Sequence, residues 1–372
     1  MDDKWKITVW GVRGSFPVPA ADFLEYGGNT SCISVECGGE LAVFDAGSGL
    51  ADLGAAISGR GGKKKIHLFL SHFHLDHVMG LAVFQPFYDP SAEIHLYGGA
   101  AEGVDFHSRL KELAGRPFWP LGLEDFPAEI QVHEIGPGSR FILGESDVTV
   151  RTMAGNHPGG SLLYRLEDGS RSMVYGLDCE LTEDMAGALA DFARDTHLLV
   201  WDANFTTKDL RKGWGHSTWE QGLELGKRAG VREVLMTHYS REYADLFLRE
   251  QERMAKVGLS HEGSGREGIA CEGSGREGIA CEGSGREGSG REGIACEGSG
   301  REGSGREGTA CEGSGREGTA CEGSGREGTA CEGAVHEGAA CEGSTEAGHA
   351  HETPCAEDTF CTFARERMEM TL

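Results

Sequence analysis

Short apolar runs separated by Gly, Asp or Asn dominate the first 261 residues and predict strands, because they are rich in β-branched and aliphatic side chains. The predicted strands cover residues 7–10, 31–36, 41–44, 66–70, 94–97, 148–152, 162–166, 173–176, 198–201 and 233–236. In SLLYRLEDGSRSMVYGLD, two apolar runs flank Asp168 and Gly169, which predicts a hairpin.

Longer segments between these runs are helix candidates. They cover residues 50–58, 75–84, 104–114, 183–192, 218–229 and 242–257. Ser217-Thr218-x-x-Gln221 has the chemistry of a capping box at a helix start. Strand-rich hairpins come first and helix-separated strands follow. This order predicts an α/β fold of two packed sheets with helices outside, rather than a purely parallel sheet.

The pattern changes after residue 261, and we predict three regions: a folded domain over 1–261, a repeat over 262–346 and a tail over 347–372. The repeat consists of five-residue units that begin with Glu-Gly, such as EGSGR and EGIAC. A unit with so little apolar surface cannot offset the entropy of ordering its backbone, so disorder is predicted. A β-solenoid and a metal- or redox-active cysteine array are the alternatives. TFARERMEM in the tail predicts a short helix.

The charge balance limits the choice of partners. Lys plus Arg number 35 and Asp plus Glu number 60, so the net charge is -25. A general nucleic-acid or anionic-membrane binder needs a basic face, so both partners are disfavoured. The start, MDDKWKITVWG, has no apolar signal region, and no apolar run approaches the roughly 18 residues of a membrane helix. We therefore expect a cytoplasmic protein.

Ser71-His72-Phe73-His74-Leu75-Asp76-His77 is the strongest chemical signal. It follows the apolar strand IHLFL and offers four potential metal ligands within six residues. Imidazole and carboxylate together suit zinc, iron or manganese. The alternative is a polar surface turn that contains several histidines by chance.

Three further residues stand at predicted strand ends: His157 in AGNHPGG, Asp178 in YGLDCE and His238 in LMTHYS. Each alone would more often be structural. Next to the first cluster, all three become candidate ligands.

The pattern His-x-His-x-Asp-His followed by His, Asp and His resembles the metallo-β-lactamase superfamily over roughly residues 5–245. The resemblance implies an αββα sandwich and two divalent metal ions, expected to be zinc, with manganese or iron also compatible. It assigns His72, His74 and His157 to one metal, Asp76, His77 and His238 to the other, and Asp178 to both. Water between two such ions becomes hydroxide near neutral pH and can attack a substrate.

The same resemblance suggests roles around the metals. Asp45 in LAVFDAGSG matches an aspartate that supports the site, with loop capping as the alternative. Asn29 and Thr30 in YGGNTSC match a segment that often faces substrate phosphate, with ordinary turn residues as the alternative. Cys179 directly follows Asp178, and a cysteine-ligated site of the β-lactamase type stays open.

Gly215-His216-Ser217-Thr218 resembles the His-Ser-Thr motif of the superfamily's phosphodiesterase branch, which includes tRNase Z. There an upstream acid orients the histidine, and Asp202 would be that acid here. Phosphodiester cleavage expels an alkoxide, so a protonated imidazole helps the oxygen to leave. The candidate catalytic residues are therefore Asp76, His216 and Asp202. The alternative is that His216 caps the following helix.

The resemblance implies a metal-dependent hydrolase, and the branch favours a binuclear phosphodiesterase for a small phosphodiester, cyclic ones included. No glycine- and proline-rich arm for gripping tRNA is evident. Residues 1–261 carry 25 basic and 37 acidic residues, a net charge of -12, which also disfavours RNA. A thioester or lactone hydrolase and a non-catalytic metal-bound sensing or scaffold domain are the alternatives. Many members of the superfamily are dimers, so a homodimer is compatible.

Overall fold

A computed structural model describes residues 4–59, 64–262 and 359–372. Within these residues, two seven-stranded mixed sheets form the centre of the fold. The disorder expected of the repeat falls outside the described residues, apart from Glu262 at the end of a helix.

The first sheet has the strand order β14-β1-β2-β3-β4-β5-β6. Its strands are β1 (Lys6–Gly11), β2 (Cys32–Cys37), β3 (Glu40–Phe44), β4 (Lys64–Phe69), β5 (Ala92–Gly98), β6 (Glu129–Glu134) and β14 (Glu369–Thr371). Pairing is antiparallel from β14 to β3 and parallel from β3 to β6.

The second sheet has the strand order β13-β12-β11-β10-β9-β8-β7. Its strands are β7 (Arg140–Ile142), β8 (Thr149–Gly155), β9 (Ser161–Glu167), β10 (Ser172–Gly176), β11 (Leu198–Asp202), β12 (Glu233–Thr237) and β13 (Phe360–Phe363). Pairing is antiparallel from β7 to β10 and parallel from β10 to β13.

Six α-helices accompany the sheets in the described part of the chain. They are α1 (Leu50–Ser58), α2 (Leu75–Val78), α3 (Phe106–Leu113), α4 (Glu183–Phe192), α5 (Trp219–Ala229) and α6 (Asp245–Glu262). Helix α5 begins with the predicted capping box, because the Thr218 side chain accepts from the Gln221 amide and Gln221 reciprocates.

Two apolar clusters hold these layers together. The larger cluster combines side chains of both sheets with residues of α4, α5 and α6, and the smaller one joins the first sheet to α1 and α3. Strand β4 serves both, because successive side chains point to opposite faces: Phe69 belongs to the larger cluster, and Ile66 and Leu68 belong to the smaller. The expected pair of packed sheets flanked by helices is therefore present.

The ten strands and six helices predicted over residues 1–261 are all found, and the clearest difference in extent is in one helix. The helix expected over 75–84 ends at Val78, because the Gly80 amide donates to the Ala46 carbonyl instead of continuing the helix. Strands β6 and β7 escaped prediction, because both are partly exposed and carry polar residues where a buried strand would be apolar.

The short helix predicted in the tail is wrong, since residues 359–372 form β13 and β14 instead. Strand β13 pairs in parallel with β12, and β14 pairs antiparallel with β1. Tertiary packing overrides the isolated helical pattern, because β13 extends the second sheet and places Cys361 and Phe363 in the larger apolar cluster. The folded unit therefore includes these last residues as well as the region up to α6.

No helix in the described ranges combines the length and apolar character that a membrane crossing requires.

Phe363 provides a test of the terminal strand. It is 1% exposed and its ring stacks at 5.9 Å from the ring of Tyr239, whereas Phe360 on the same strand is 65% exposed. We expect Phe363→Ala to lower the free energy of unfolding by about 3–5 kcal/mol, because a buried aromatic side chain leaves a cavity. The control Phe360→Ala should change it by less than about 0.5 kcal/mol. Urea unfolding of the full chain measures both, and equal effects would contradict the strand assignment.

Candidate metal centre

The histidines and acids singled out in the sequence converge at the strand ends. The segment Ser71 to His77 follows β4, and His157 follows β8. Asp178 follows β10 and His238 follows β12, in the second sheet. Strands β8, β10 and β12 run in the same direction, so their carboxyl ends meet at one edge of the sheet.

A first group of potential ligands contains His72, His74, His157 and Asp178, whose donor atoms all lie within 4.8 Å of one another. His157 Nε2 is 3.0 Å from His74 Nδ1. Asp178 Oδ2 is 3.7 Å from His72 Nε2 and 3.6 Å from His157 Nε2.

A second group contains Asp76, His77 and His238. The Nε2 atoms of the two histidines are 3.2 Å apart, and Asp76 Oδ2 lies 3.2 Å and 3.3 Å from them. Asp178 Oδ1 lies 3.1 Å from both nitrogens. The two oxygens of Asp178 therefore face different groups, Oδ1 the second and Oδ2 the first.

Polar groups behind the histidines fix their orientation. His77 Nδ1 lies 2.7 Å from Asp45 Oδ2, and His157 Nδ1 lies 2.9 Å from the Gly215 carbonyl oxygen. When each Nδ1 donates its proton to that oxygen, the Nε2 lone pair points into the cluster. This is the arrangement that presents a neutral imidazole to a metal ion.

Asp45 contacts both His77 and the loop that carries the first ligands. It is fully buried, and its carboxylate accepts from the Ser71 amide at 2.7 Å, from the Ser71 hydroxyl at 2.9 Å and from the Tyr175 hydroxyl at 2.8 Å. The carboxylate thus ties the start of the ligand loop to β10.

Two polar atoms at the centre of the cluster lack the partners that burial normally demands. His72 Nε2 and Asp178 Oδ1 are buried without a hydrogen-bond partner among the described residues. Such atoms are rare unless something else satisfies them. Imidazole nitrogens together with carboxylate oxygens are a donor set for divalent metals. The residues present therefore fit divalent metal ions.

The histidines of the cluster fall into two sets, according to whether burial or neighbouring charge decides the direction of the pKa shift. Burial lowers the pKa of His72, His74 and His157 below the ordinary value, which favours the neutral, ligating form. Burial also opposes a charge on His238, but the surrounding carboxylates, Asp178 foremost, together outweigh it and raise the pKa of His238 to about 10. His77 has its pKa raised in the same way, with burial opposed chiefly by Asp178.

The carboxylates respond in the opposite sense. Burial would raise the pKa of Asp76 and Asp178, but His77 and His238 hold the pKa of both acids well below the usual range. Without metal, the surrounding imidazoles thus supply the positive charge that the buried acids need.

Three site residues that are not glycine adopt left-handed backbone conformations. The φ angles are 59° at Asp45, 51° at Asp178 and 60° at His238. Non-glycine residues rarely adopt this region, and such strain concentrates at functional sites.

His216 and Asp202 form a pair at the border of the cluster. His216 Nδ1 lies 2.8 Å from Asp202 Oδ2 and 3.8 Å from Asp178 Oδ2. Burial would lower the pKa of His216, but the buried Asp202 carboxylate raises it above the ordinary value. The N-cap of α5 is Thr218, so the interpretation of His216 as a mere helix cap is wrong.

Asn29 and Thr30 lie outside the ligand groups. The Asn29 amide donates to Glu366 at 3.1 Å and accepts from the Ser48 hydroxyl at 2.9 Å. Thr30 is buried, and its hydroxyl accepts from the Ser48 amide at 2.8 Å. Their substrate-binding role stays a prediction.

Cys179 is fully buried, and burial raises the pKa of its thiol to about 12. It belongs to none of the candidate ligand groups found in the described ranges.

Sequence reasoning missed two groups that touch site residues. The Ser15 amide donates to Asp76 Oδ2 at 2.7 Å, and Glu366 binds Asn29. Ser15 lies in the block GVRGSFP, which follows the first strand. Glu366 had no local signal, because its partner lies 337 residues away in sequence.

The fold has two packed sheets with helices outside, and its histidine- and aspartate-rich site lies at the strand ends. This combination is typical of a metal-dependent hydrolase. Residues 43–239, more than half of the chain, match the family described as "Beta-lactamase superfamily domain", and the protein belongs to this superfamily. The resemblance found in the sequence is thereby confirmed.

Individual relatives are distant. The chain is 24% identical to the ribonuclease Z of Nitrosopumilus maritimus over 58% of this chain and 85% of that protein. It is 28% identical to an uncharacterised protein of Mycobacterium tuberculosis over 63% of this chain and 80% of the relative. Among solved structures, it is similar to the metallo-β-lactamase fold protein YhfI from Bacillus subtilis. Identity is 22% and the TM-score 0.53, covering 67% of this chain and 92% of that one.

Two glycines test how His157 is held. Both have left-handed backbones, with φ of 79° at Gly213 and 81° at Gly215. A Cβ at Gly215 would lie 2.2 Å from His157 Nδ1, whereas one at Gly213 would meet nothing within 4 Å. We expect Gly215→Ala to weaken zinc binding at least about 10-fold, because His157 is displaced. The control Gly213→Ala, which pays only the backbone cost, should stay within about 3-fold.

Competition with a chromophoric zinc chelator measures both affinities. Equal zinc affinities in the two variants would contradict a ligand role for His157.

Proposed function

We propose that this protein is a binuclear metal-dependent phosphodiesterase that cleaves a small phosphodiester, cyclic ones included. The observation that carries the proposal is the His216–Asp202 pair, which stands beside Asp178, the carboxylate whose two oxygens face the two ligand groups. The ligand groups would bind the metal ions, and the His216–Asp202 pair would place a proton donor next to them.

One metal would be held by His72, His74 and His157, and the other by Asp76, His77 and His238. Asp178 would contribute one oxygen to each, since Oδ1 and Oδ2 face different groups. Zinc is expected, and manganese or iron would accept the same donors. Divalent ions bound there supply a water of lowered pKa and positive charge for a phosphoryl oxygen.

His216 is the proposed general acid. When its Nδ1–H donates to Asp202, the second ring nitrogen is free to hold a proton for the leaving oxygen. Asp202 is fully buried, and its second oxygen accepts from the Asn204 amide at 2.9 Å, so the carboxylate is fixed in place. Asp202 therefore orients the imidazole and compensates its positive charge.

An alkoxide leaving group explains why such an acid is needed. A phosphodiester of an alcohol expels a strongly basic oxygen, which leaves far more easily when a proton is supplied. A thioester expels a thiolate, which leaves without one. The His216–Asp202 pair therefore favours phosphodiester over thioester cleavage.

The negative net charge of the chain favours a small substrate over RNA. Several relatives, including the Nitrosopumilus maritimus protein above, are named ribonuclease Z, and this name would suggest RNA. RNA binding draws most of its affinity from cationic side chains along the phosphates. A chain with a net charge of -25 is poorly suited to that, so we favour a small diester.

His216→Ala separates the acid role from metal binding. We expect the variant to keep its metal and to lose about 100- to 10,000-fold in kcat on an alkoxide-leaving diester such as 3′,5′-cyclic AMP. The loss should be much smaller on bis-p-nitrophenyl phosphate, whose leaving group needs no proton. His107→Ala, which removes an exposed histidine of α3, is the control and should match the unmodified protein.

A substrate panel with the full, zinc-loaded chain tests the reaction class. Turnover of small phosphodiesters that EDTA abolishes would support the proposal. Hydrolysis confined to S-acylglutathione or lactones would contradict it and favour the other hydrolase classes. Cleavage confined to a tRNA precursor would contradict the small-substrate assignment, and inertness with metal bound would favour a sensing or scaffold role.

A further inference from the structure

We propose that Glu180 is a positioning residue, which fixes the loop of residues 213–215 and thereby places His216 for proton donation. The kinetic part of this inference rests on the function proposed above. Glu180 has no role in the superfamily pattern found in the sequence, and it is not among the candidate metal ligands of the described residues.

A single carboxylate oxygen of Glu180 holds the loop at two points. Oε2 accepts from the Gly213 amide at 2.7 Å and from the Gly215 amide at 3.1 Å. Hydrogen bonds from neutral donors to a charged acceptor are about twice as strong as neutral ones. The carboxylate thus closes the loop around Trp214.

The held loop leads directly into the candidate site. The carbonyl oxygen of Gly215 faces His157 Nδ1 at 2.9 Å, and the next residue is His216, which contacts Asp202. The same peptide unit therefore orients a candidate ligand and begins the backbone of the proposed acid. A shift of Gly215 would therefore change the backbone position of His216 and the acceptor of the His157 Nδ1–H.

Glu180 itself is anchored from both sides of the chain. Its amide donates to the Asn156 carbonyl at 2.9 Å, and the Asn156 side chain donates to the Glu180 carbonyl at 3.2 Å. Ser217 adds a second tie, because its hydroxyl donates to the Cys179 carbonyl at 2.6 Å and accepts from the Leu181 amide at 3.0 Å. The carboxylate therefore projects from a fixed backbone.

The loop needs such an anchor because of its composition. Gly213 and Gly215 are both left-handed, and glycine has more backbone freedom to lose than any other residue. Trp214 between them is 56% exposed, and its ring is covered on one side by Arg211 at 4.6 Å. Without an acceptor for the two amides, the loop would sample many conformations.

Hydrogen exchange tests the loop contact independently of activity. We expect Glu180→Ala to speed amide exchange at least about 10-fold in a peptide covering 211–217 of the full zinc-loaded chain. Glu180→Gln should exchange nearly as the unmodified protein does, because its amide oxygen can accept both bonds. The control Glu183→Ala removes an exposed acid from the first turn of α4 and should leave this peptide unchanged. Unchanged exchange in Glu180→Ala would overturn the inference.

Kinetics then test whether the loop serves His216. At saturating zinc, we expect Glu180→Ala to lower kcat on 3′,5′-cyclic AMP about 10- to 100-fold and on bis-p-nitrophenyl phosphate less than about 3-fold, because misplacement affects mainly the proton transfer. In a His216→Ala background, Glu180→Ala should cause no further loss on the cyclic substrate. Equal losses on both substrates, or additive losses in the double variant, would overturn the positioning role.

The two proposals can fail separately. If His216→Ala alone shows no dependence on the leaving group, the acid role is wrong and the kinetic half of this inference falls with it. The exchange result still decides whether Glu180 holds the loop.

Discussion

A buried carboxylate surrounded by imidazoles is the constraint on which the rest of the site depends. Asp178 Oδ1 lies 3.1 Å from the Nε2 atoms of His77 and His238, yet neither contact has hydrogen-bond geometry. A buried anion without compensation is costly, so positive charge must lie close to it. Imidazolium can supply that charge without metal, and divalent ions can supply it with metal. The ends of β4, β8, β10 and β12 bring the histidines and acids together around this carboxylate.

The fold that delivers these residues is completed by the last part of the chain. Strand β14 forms one edge of the first sheet, and β13 forms one edge of the second. Glu366, between the two strands, binds Asn29, which also contacts Ser48. Arg365 contacts Glu252 on α6 at 2.7 Å. The segment therefore links both sheets to α6, and a chain ended at residue 261 would lack two strands.

The features that depend on residues close together in the sequence could be predicted from the sequence. The ligand cluster from His72 to His77 could be recognised because four donors share one turn after a strand. The cluster was also needed to recognise three isolated residues as candidate ligands, namely His157, Asp178 and His238. Strands β13 and β14 could not be foreseen, because their stability comes from partners more than 120 residues away. Glu180 was passed over because its two bonds go to backbone amides, which no side-chain motif records.

Anomalous diffraction at the zinc edge, from crystals of the full zinc-loaded chain, tests the central claim most directly. The account predicts two zinc peaks per chain, one on each side of Asp178, with His216 coordinated to neither. The alternative donor set of Asp178, Asp202, His216 and His238 also lies within 4.8 Å. A single peak among those four residues would contradict both the shared carboxylate and the role of His216 as a proton donor.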